Sequence, residues 1–244
     1  MFDSPCRGVS WVFLRWLAWS LLLSGCAQRQ VGISLLPPLI GLMKPAIFWS
    51  ESFEQWDPAR WRPIEVHGQT EYAVVDLGGR RCLKAYSHKN ASIVVSQVRF
   101  DPHAYGQLSW EWRVDQLVDG EALDRKDGSD AAARVYVYFD TPGLPWQRRN
   151  LDYVWSASLP VGTVFDSAYS SDSKIIVVES GPQHVGQWRN VTRNLADDFE
   201  TSFGSRSPKV VAIGLMTDTD NTGGEALTYF DELRVMRRPR KDER

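Results

Sequence analysis

The strongest constraint on the fold of this chain is a two-residue alternation of apolar and polar side chains. Successive side chains of a β-strand point to opposite faces, so such a segment predicts a strand with one buried side. The apolar members are Leu108, Trp110, Trp112 and Val114 in one segment, Ala133, Val135, Val137 and Phe139 in another, Leu151, Tyr153, Trp155 and Ala157 in a third, and Leu227, Tyr229, Leu233 and Val235 in a fourth.

Helical spacing occurs in a single segment of the chain. Val191, Leu195 and Phe199 recur every four residues and Gly204 follows as a stop signal, which predicts one short helix. Many strands, separated by turn residues and accompanied by so little helix, indicate an all-β domain. We expect an antiparallel two-sheet sandwich of jelly-roll type with one short helix.

The amino-terminal segment has the features of a bacterial export signal. Arg7 and Arg15 precede the apolar run 16–23, which is shorter than the roughly 20 residues of a membrane-spanning helix. The sequence Leu-Ser-Gly-Cys ending at Cys26 resembles the lipobox of bacterial lipoproteins, in which the cysteine is acylated and begins the mature chain. We therefore expect a signal peptide over residues 1–25 and a membrane anchor of lipid on Cys26.

The resemblance to lipoproteins also bears on location. Such proteins are retained at the inner membrane by an aspartate after the cysteine, and this chain has Ala27 there. In a source with two membranes, the predicted location is the cell envelope, at the outer membrane and facing the periplasm. Residues 26–45 are expected to form a tether and residues 237–244 a solvated basic tail.

The remaining residues, 46–236, are predicted to form one domain. The formal net charge of the chain is −2, which provides no cationic surface for nucleic acid. With Cys6 in the signal peptide and Cys26 acylated, Cys82 stands alone in the domain. An internal disulfide is then excluded, so burial of apolar side chains must stabilise the fold.

Several motifs in the expected strands resemble one known family. They lie, in order, at residues 110–115, 130–137, 151–155, 216–223 and 229–233. Together they are similar to domain-of-unknown-function family 3047 (DUF3047), over nearly the whole of 46–236. The resemblance implies a fold that is similar in outline to jelly-roll modules that bind carbohydrate. It implies no activity, since unrelated functions share such folds.

Two strands present polar faces that predict a ligand surface. Arg134, Tyr136 and Tyr138 share one such face, and Glu111 and Arg113 share the other. Aromatic rings stack on sugars, and charged groups bind ligand hydroxyls through hydrogen bonds. The alternative is an ordinary solvent-facing sheet with cross-strand pairs.

A polar loop provides a second set of candidate ligand residues, Asp218, Asp220 and Asn221. Carboxylate and amide oxygens suit a hard cation such as calcium. Tyr229 stands where an EF-hand requires its twelfth-position glutamate, so a full EF-hand is excluded. The alternative is a turn in which these side chains accept hydrogen bonds from backbone amides.

Two acids occupy positions that the alternation assigns to the interior, Glu51 and Asp231. A buried carboxylate without a partner costs several kcal/mol, so each must be paired. Jelly-roll carbohydrate modules often hold a structural calcium between their first and last strands, and these two acids suit that place. A salt bridge to arginine, or a register displaced by one residue, explains them equally well.

The predicted function is a non-catalytic, lipid-anchored module that binds glycan or another envelope component. One alternative is a hydrolase or lyase acting on envelope polysaccharide through acids such as Glu111 and Asp218. Another is a subunit that recognises a second protein. Carboxylates converging in a deep cleft would favour the enzyme, a shallow aromatic groove the glycan binder, and a flat apolar patch the protein partner.

The lipid anchor can be tested by the substitution Cys26→Ser. Loss of the acceptor thiol should abolish labelling by a radioactive fatty acid and leave the precursor unprocessed. Labelling that survives the substitution would contradict the assignment of Cys26 as the lipid attachment site.

Overall fold

The computed structural model describes residues 46–144 and 147–237. The predicted signal peptide, the whole of the predicted tether with Cys26, and the tail from residue 238 lie outside these ranges. Among the described residues, no helix has the length and apolar character that crossing a membrane requires.

Thirteen strands and one α-helix form within the described ranges. The strands are β1 (Ile47–Glu51), β2 (Arg62–His67), β3 (Glu71–Asp76), β4 (Arg81–His88), β5 (Ala91–Phe100), β6 (Gln107–Gln116), β7 (Ala133–Phe139), β8 (Asn150–Ser156), β9 (Val164–Ser167), β10 (Ser170–Ser180), β11 (Arg189–Asn194), β12 (Val210–Asp218) and β13 (Glu225–Met236). The helix α1 spans Leu195–Phe203.

The strands make two sheets. The first has the order β11-β6-β13-β4-β3, with β1 paired to the end of β13, and the second has the order β2-β5-β12-β7-β8-β10-β9. The predicted two-sheet sandwich with one short helix is confirmed. The pair β8–β10 runs parallel, unlike the other pairs. The chain leaves β8, forms the edge strand β9 and then returns between them as β10, which produces this direction.

The interior lies between the two sheets and is rich in aromatic side chains. The alternating residues of β6 and β7 that were predicted to point inward are all fully buried. Trp110 lies 5.4 Å from Tyr153 of the facing sheet, and Trp112 lies 6.0 Å from Trp155, measured between ring centroids. These tryptophans therefore belong to the core.

The predicted alternation is wrong in the first half of β13. There the residues that join the main core are Ala226 and Phe230, so Leu227 and Tyr229 point to the outer face. Glu232 has a φ of 53° and lies where the pairing with β6 shifts its register. This bulge moves the alternation by one residue, as β-bulges do, so that Leu233 and Val235 are buried as predicted.

The predicted helix is confirmed, but its first apolar residue is not part of it. Val191 pairs with Trp110 in the first sheet, so the helix begins only at Leu195. The side chain of Asn194 accepts a hydrogen bond from the Asp197 amide, and Gly204 ends the helix with φ 67°. Phe199 packs on Phe139, with 4.4 Å between ring centroids, and so fixes the helix on the sandwich.

The outer face of the second sheet is partly covered by the segment between β6 and β7. Leu123 and Ala131 of this segment pack on Val154, Ile175 and Val177 in a second, smaller apolar cluster. This part of the sheet is therefore buried on both faces, which determines the environment of the candidate site residues beside it.

Candidate functional site

Arg134 lies under the covered part of the second sheet and is 3% exposed. Its guanidinium donates from Nε to Asp218 (2.9 Å), from Nη1 to Asp152 (2.5 Å), and from Nη2 to the carbonyl of Ser129 (2.7 Å). A weaker bond of 3.2 Å joins Nη1 to the Tyr136 hydroxyl. The prediction that Arg134 faces solvent is wrong, because the segment around Ser129 closes over it.

Tyr136 and Tyr138 lie on the same outer face, half-buried beside Arg134. Their rings stack at 5.8 Å with an interplanar angle of 17°, and they pack on a small apolar cluster that includes Ile93 and Met216. Burial raises the pKa of both phenols. The two rings therefore pack against their own sheet, and less of their surface is exposed to solvent than the alternation predicted.

The polar loop after β12 meets a residue that the sequence analysis did not select. Asp130, Asp218 and Asp220 place one carboxylate oxygen each within 4.8 Å of one another. Such a set suits a hard cation such as calcium. The oxygens also accept protein hydrogen bonds: the amides of Asn221 (3.2 Å) and Thr222 (2.6 Å) donate to Asp130. The acceptor of these turn amides is thus Asp130, from outside the loop, where the alternative had predicted the loop's own side chains. Asn221 additionally accepts a hydrogen bond from the Tyr169 hydroxyl at 3.0 Å.

Charge in this cluster is unbalanced. The single guanidinium of Arg134 faces the buried carboxyls of Asp218 and Asp152, and Asp130 lies next to Asp218. Burial, together with repulsion by Asp130, raises the pKa of Asp218 to about 7 against the attraction of Arg134. Burial also raises the pKa of Asp152. Near neutral pH, the cluster favours an added proton or a bound cation.

Glu51 and Asp231 are each held by an arginine. Arg60 lies 3.2 Å from Glu51, which also accepts hydrogen bonds from the Phe53 amide and the Trp61 indole. The Nε of Arg80 donates to Asp231 at 2.6 Å. Salt bridges to arginine therefore account for both acids, and the shared calcium site stays a prediction.

Glu111 and Arg113 lie on the outer face of the first sheet, away from Arg134. Arg80 bridges Glu111 (2.7 Å) and Asp231, and Arg113 pairs with Asp115 at 2.6 Å. The indole of Trp188 stacks on the Arg80 guanidinium at 3.8 Å. The structure thus separates the two predicted ligand faces onto opposite sides of the sandwich, and the charges here are neutralised by neighbours.

A concave site that the sequence analysis missed lies where β1, β2 and β5 meet. We call it the edge cleft. It has a volume of about 350 Å³ and is lined by Trp49, Ala59, Arg60, Arg62, Val95, Ser96 and Gln97. It forms because β2 begins at Arg62, opposite Val95, so β2 does not cover β5 beyond that residue. The pattern Arg60-Trp61-Arg62 was the sequence signal that could have indicated it.

The edge cleft combines apolar surface with hydrogen-bond donors. The Arg60 guanidinium lies 4.8 Å from the Trp49 ring centroid and also bonds the carbonyl of Ser50. Arg62 and Gln97 are exposed, and Val95 is half-buried. None of the lining residues is acidic. The arrangement is suited to binding a polar ligand.

Comparison with known proteins gives a family match and remote structural similarity. A family model described as "Protein of unknown function (DUF3047)" matches residues 59–234. None of the curated proteins matches the chain significantly.

Three solved structures illustrate the structural similarity. The CBM22-1 xylan-binding domain from Paenibacillus barcinonensis Xyn10C is 14% identical, with a TM-score of 0.39 over 79% of this chain and 95% of that one. The K3 cleaved adhesin domain of Lys-gingipain from Porphyromonas gingivalis is 13% identical, with a TM-score of 0.41 over 78% and 99%. The xyloglucanase domain of NopAA from Sinorhizobium fredii is 10% identical, with a TM-score of 0.43 over 78% and 97%. At these values the matches give no basis for assigning a ligand.

The structural role of Arg134 predicts a large effect of its removal. Arg134→Ala leaves Asp152 and Asp218 buried without their counter-ion, which should lower the free energy of unfolding by about 3–5 kcal/mol. Arg99→Ala is the matched control, since its ion pair with Asp140 is exposed, and the loss should be much smaller. Urea denaturation at neutral pH measures both. Similar losses would contradict a structural role for Arg134.

The raised pKa of Asp218 predicts a pH dependence of stability. In the folded protein the Asp218 carboxyl keeps its proton up to about pH 7, whereas in an unfolded chain it releases the proton at about pH 3.9. The folded state binds more protons between these values, so the free energy of unfolding should fall as pH rises through this window. Asp231, whose pKa burial raises to about 6, acts in the same direction.

Asp218→Asn should make this fall shallower, because the amide has no proton to release. Urea denaturation at a series of pH values, with a chelator present so that no cation replaces the proton, measures the slope. A variant whose stability falls as steeply as that of the wild type would contradict the assignment to Asp218.

Proposed function

We propose that this chain, which belongs to the DUF3047 family of proteins of unknown function, is a non-catalytic glycan-binding module of the cell envelope. The observation that carries the proposal is the edge cleft, an open site whose lining joins aromatic, aliphatic and hydrogen-bonding groups. Its volume of about 350 Å³ lies within the range of small-ligand sites, about 300–1,000 Å³.

The lining chemistry of the edge cleft matches that of a sugar. Sugars present apolar C–H surfaces together with hydroxyl groups that both donate and accept hydrogen bonds. Trp49, Ala59 and Val95 provide apolar walls, while the Gln97 amide and the guanidinium groups provide polar partners.

Binding is favoured over hydrolysis because the candidate catalytic acids are separated. Glycosidases use two carboxyl groups about 5–10 Å apart across one bond. Glu111 lies on the outer face of the first sheet and Asp218 on the outer face of the second, and each is paired with an arginine. The proposal therefore assigns these acids to structure.

The edge strand β2 favours a second candidate function, recognition of a protein. Ile64 and Val66 are 52% and 63% exposed on this strand, which pairs with β5 on one side. An exposed apolar edge is a surface on which a partner adds a strand. Pro63 lacks an amide donor and so weakens this second candidate.

The envelope location is supported by the leader alone. In this proposal, lipid on Cys26 attaches the module to a membrane. Where the source has two membranes, this is the outer membrane. Residues 26–45 then give the domain reach to a glycan near that membrane.

Filling the edge cleft tests the glycan-binding function. Ala59→Trp places a large side chain at an exposed lining position, so the full chain should bind at least tenfold more weakly to any glycan selected from an array of envelope glycans. Ser205→Trp, at an exposed position in the loop after the helix, is the control and should bind like the wild type. Unchanged binding by the Ala59 variant would exclude the cleft, and a wild type that binds none of the glycans would refute the function.

A further inference from the structure

The edge cleft contains a cationic side chain that no acidic neighbour offsets. Arg62 is exposed at the start of β2 and lines the cleft opposite Val95. The ion pairs formed within residues 46–144 and 147–237 link Arg60, Arg80, Arg99, Arg113 and other arginines to acids, and Arg62 takes part in none of them. Its charge is therefore available to a ligand.

Arg60, the second arginine of the cleft, is held in a fixed position. Glu51 and the carbonyl of Ser50 bond its guanidinium, which also stacks on Trp49. Glu51 in turn accepts hydrogen bonds from its neighbours, including the Trp61 indole at 3.0 Å. The acid thus neutralises Arg60, and among the described ion pairs none links Glu51 to Arg62, so the cleft keeps a net positive charge.

We propose that the ligand of the edge cleft is an acidic glycan whose carboxylate is bound by Arg62. This inference rests on the glycan-binding function and specifies its substrate class. A guanidinium presents parallel N–H groups that match the two oxygens of a carboxylate, and such charge-assisted bonds are stronger than bonds to neutral hydroxyls. A neutral sugar would leave the charge of Arg62 without a counter-ion, whereas a uronic acid supplies one.

The two walls of the cleft explain how the rest of the sugar would be held. Val95 and Ala59 exclude part of the water around the guanidinium, which strengthens its attraction to an anion. Gln97 extends beyond the start of β2 and offers its amide to sugar hydroxyls. The fixed Arg60 beside Arg62 limits the orientations that a bound carboxylate can take.

Titration calorimetry of the full chain with an oligogalacturonate, and with a neutral oligogalactose of the same length and linkage, tests the inference. The acidic ligand should bind about tenfold more tightly or better, as expected of a hydrogen bond to a charged group. This advantage should shrink as salt is raised, because the pair is partly exposed. Arg62→Gln should remove the advantage of the acidic ligand, whereas binding of the neutral ligand, which loses only one hydrogen-bond partner, should weaken much less.

Control variants separate the effect of Arg62 itself from the effect of the protein's net charge. Arg125→Gln removes an exposed arginine outside the cleft, where it pairs with Asp127, and should retain the preference for the acidic ligand. Arg62→Lys keeps the positive charge but lacks the parallel N–H donors of the guanidinium, so it should retain only part of the preference. Thermal melts of each variant should match the wild type, since Arg62 is exposed.

Each outcome supports or overturns the assignment. Equal affinities for both ligands, with no effect of Arg62→Gln, would overturn the acidic ligand and leave the glycan-binding function standing. Failure of both ligands to bind would overturn the inference, and the glycan array described above then decides the function separately. Competition by inorganic phosphate or sulfate that is stronger than competition by galacturonate would overturn the carboxylate as the bound group.

Discussion

Packing of aromatic side chains between the two sheets is the interaction on which the rest of the structure depends. Trp110 and Trp112 meet Tyr153 and Trp155 of the opposite sheet, and all four are fully buried. With Cys82 as the free cysteine of the described ranges, this apolar burial supplies the stability that a disulfide would otherwise provide. The inner faces are thereby occupied, which leaves outer faces, loops and edges as the accessible surface.

The second sheet contains a polar counterpart to this core. Arg134 joins β7 to β8 through Asp152 and to β12 through Asp218, and it also binds the segment that covers the sheet. A buried charge network of this kind is costly to break and ties distant strands to one register. Its excess of carboxylates makes it sensitive to pH and to cations. Arg134 and Asp218, which the sequence assigned to candidate ligand surfaces, are thus bound to each other inside the fold.

The edge cleft depends on the lengths of two neighbouring strands. β5 continues to Phe100, whereas its partner β2 begins opposite Val95, and the loop that carries Ala59 and Arg60 borders the space that remains. Trp49 and Glu51 of β1 then hold Arg60 at one wall. The edge cleft leaves the core unchanged, since Arg62 and Gln97 are exposed and contribute little to it.

Local patterns in the sequence determined the strands β6, β7, β8 and β13, the buried residues of β6 and β7, and the short helix, because side-chain periodicity reflects which face of an element is buried. They could not determine the bulge at Glu232, which shifted the inward positions of β13 by one. The partner of Asp231 is Arg80, 151 residues away, and Asp130 reaches Asp218 only when β7 and β12 pair. Burial of Arg134 and the edge cleft likewise arise from contacts between distant segments. Tertiary structure alone decided these features, because sequence spacing carries no information on which remote charge or strand end will lie beside a given residue.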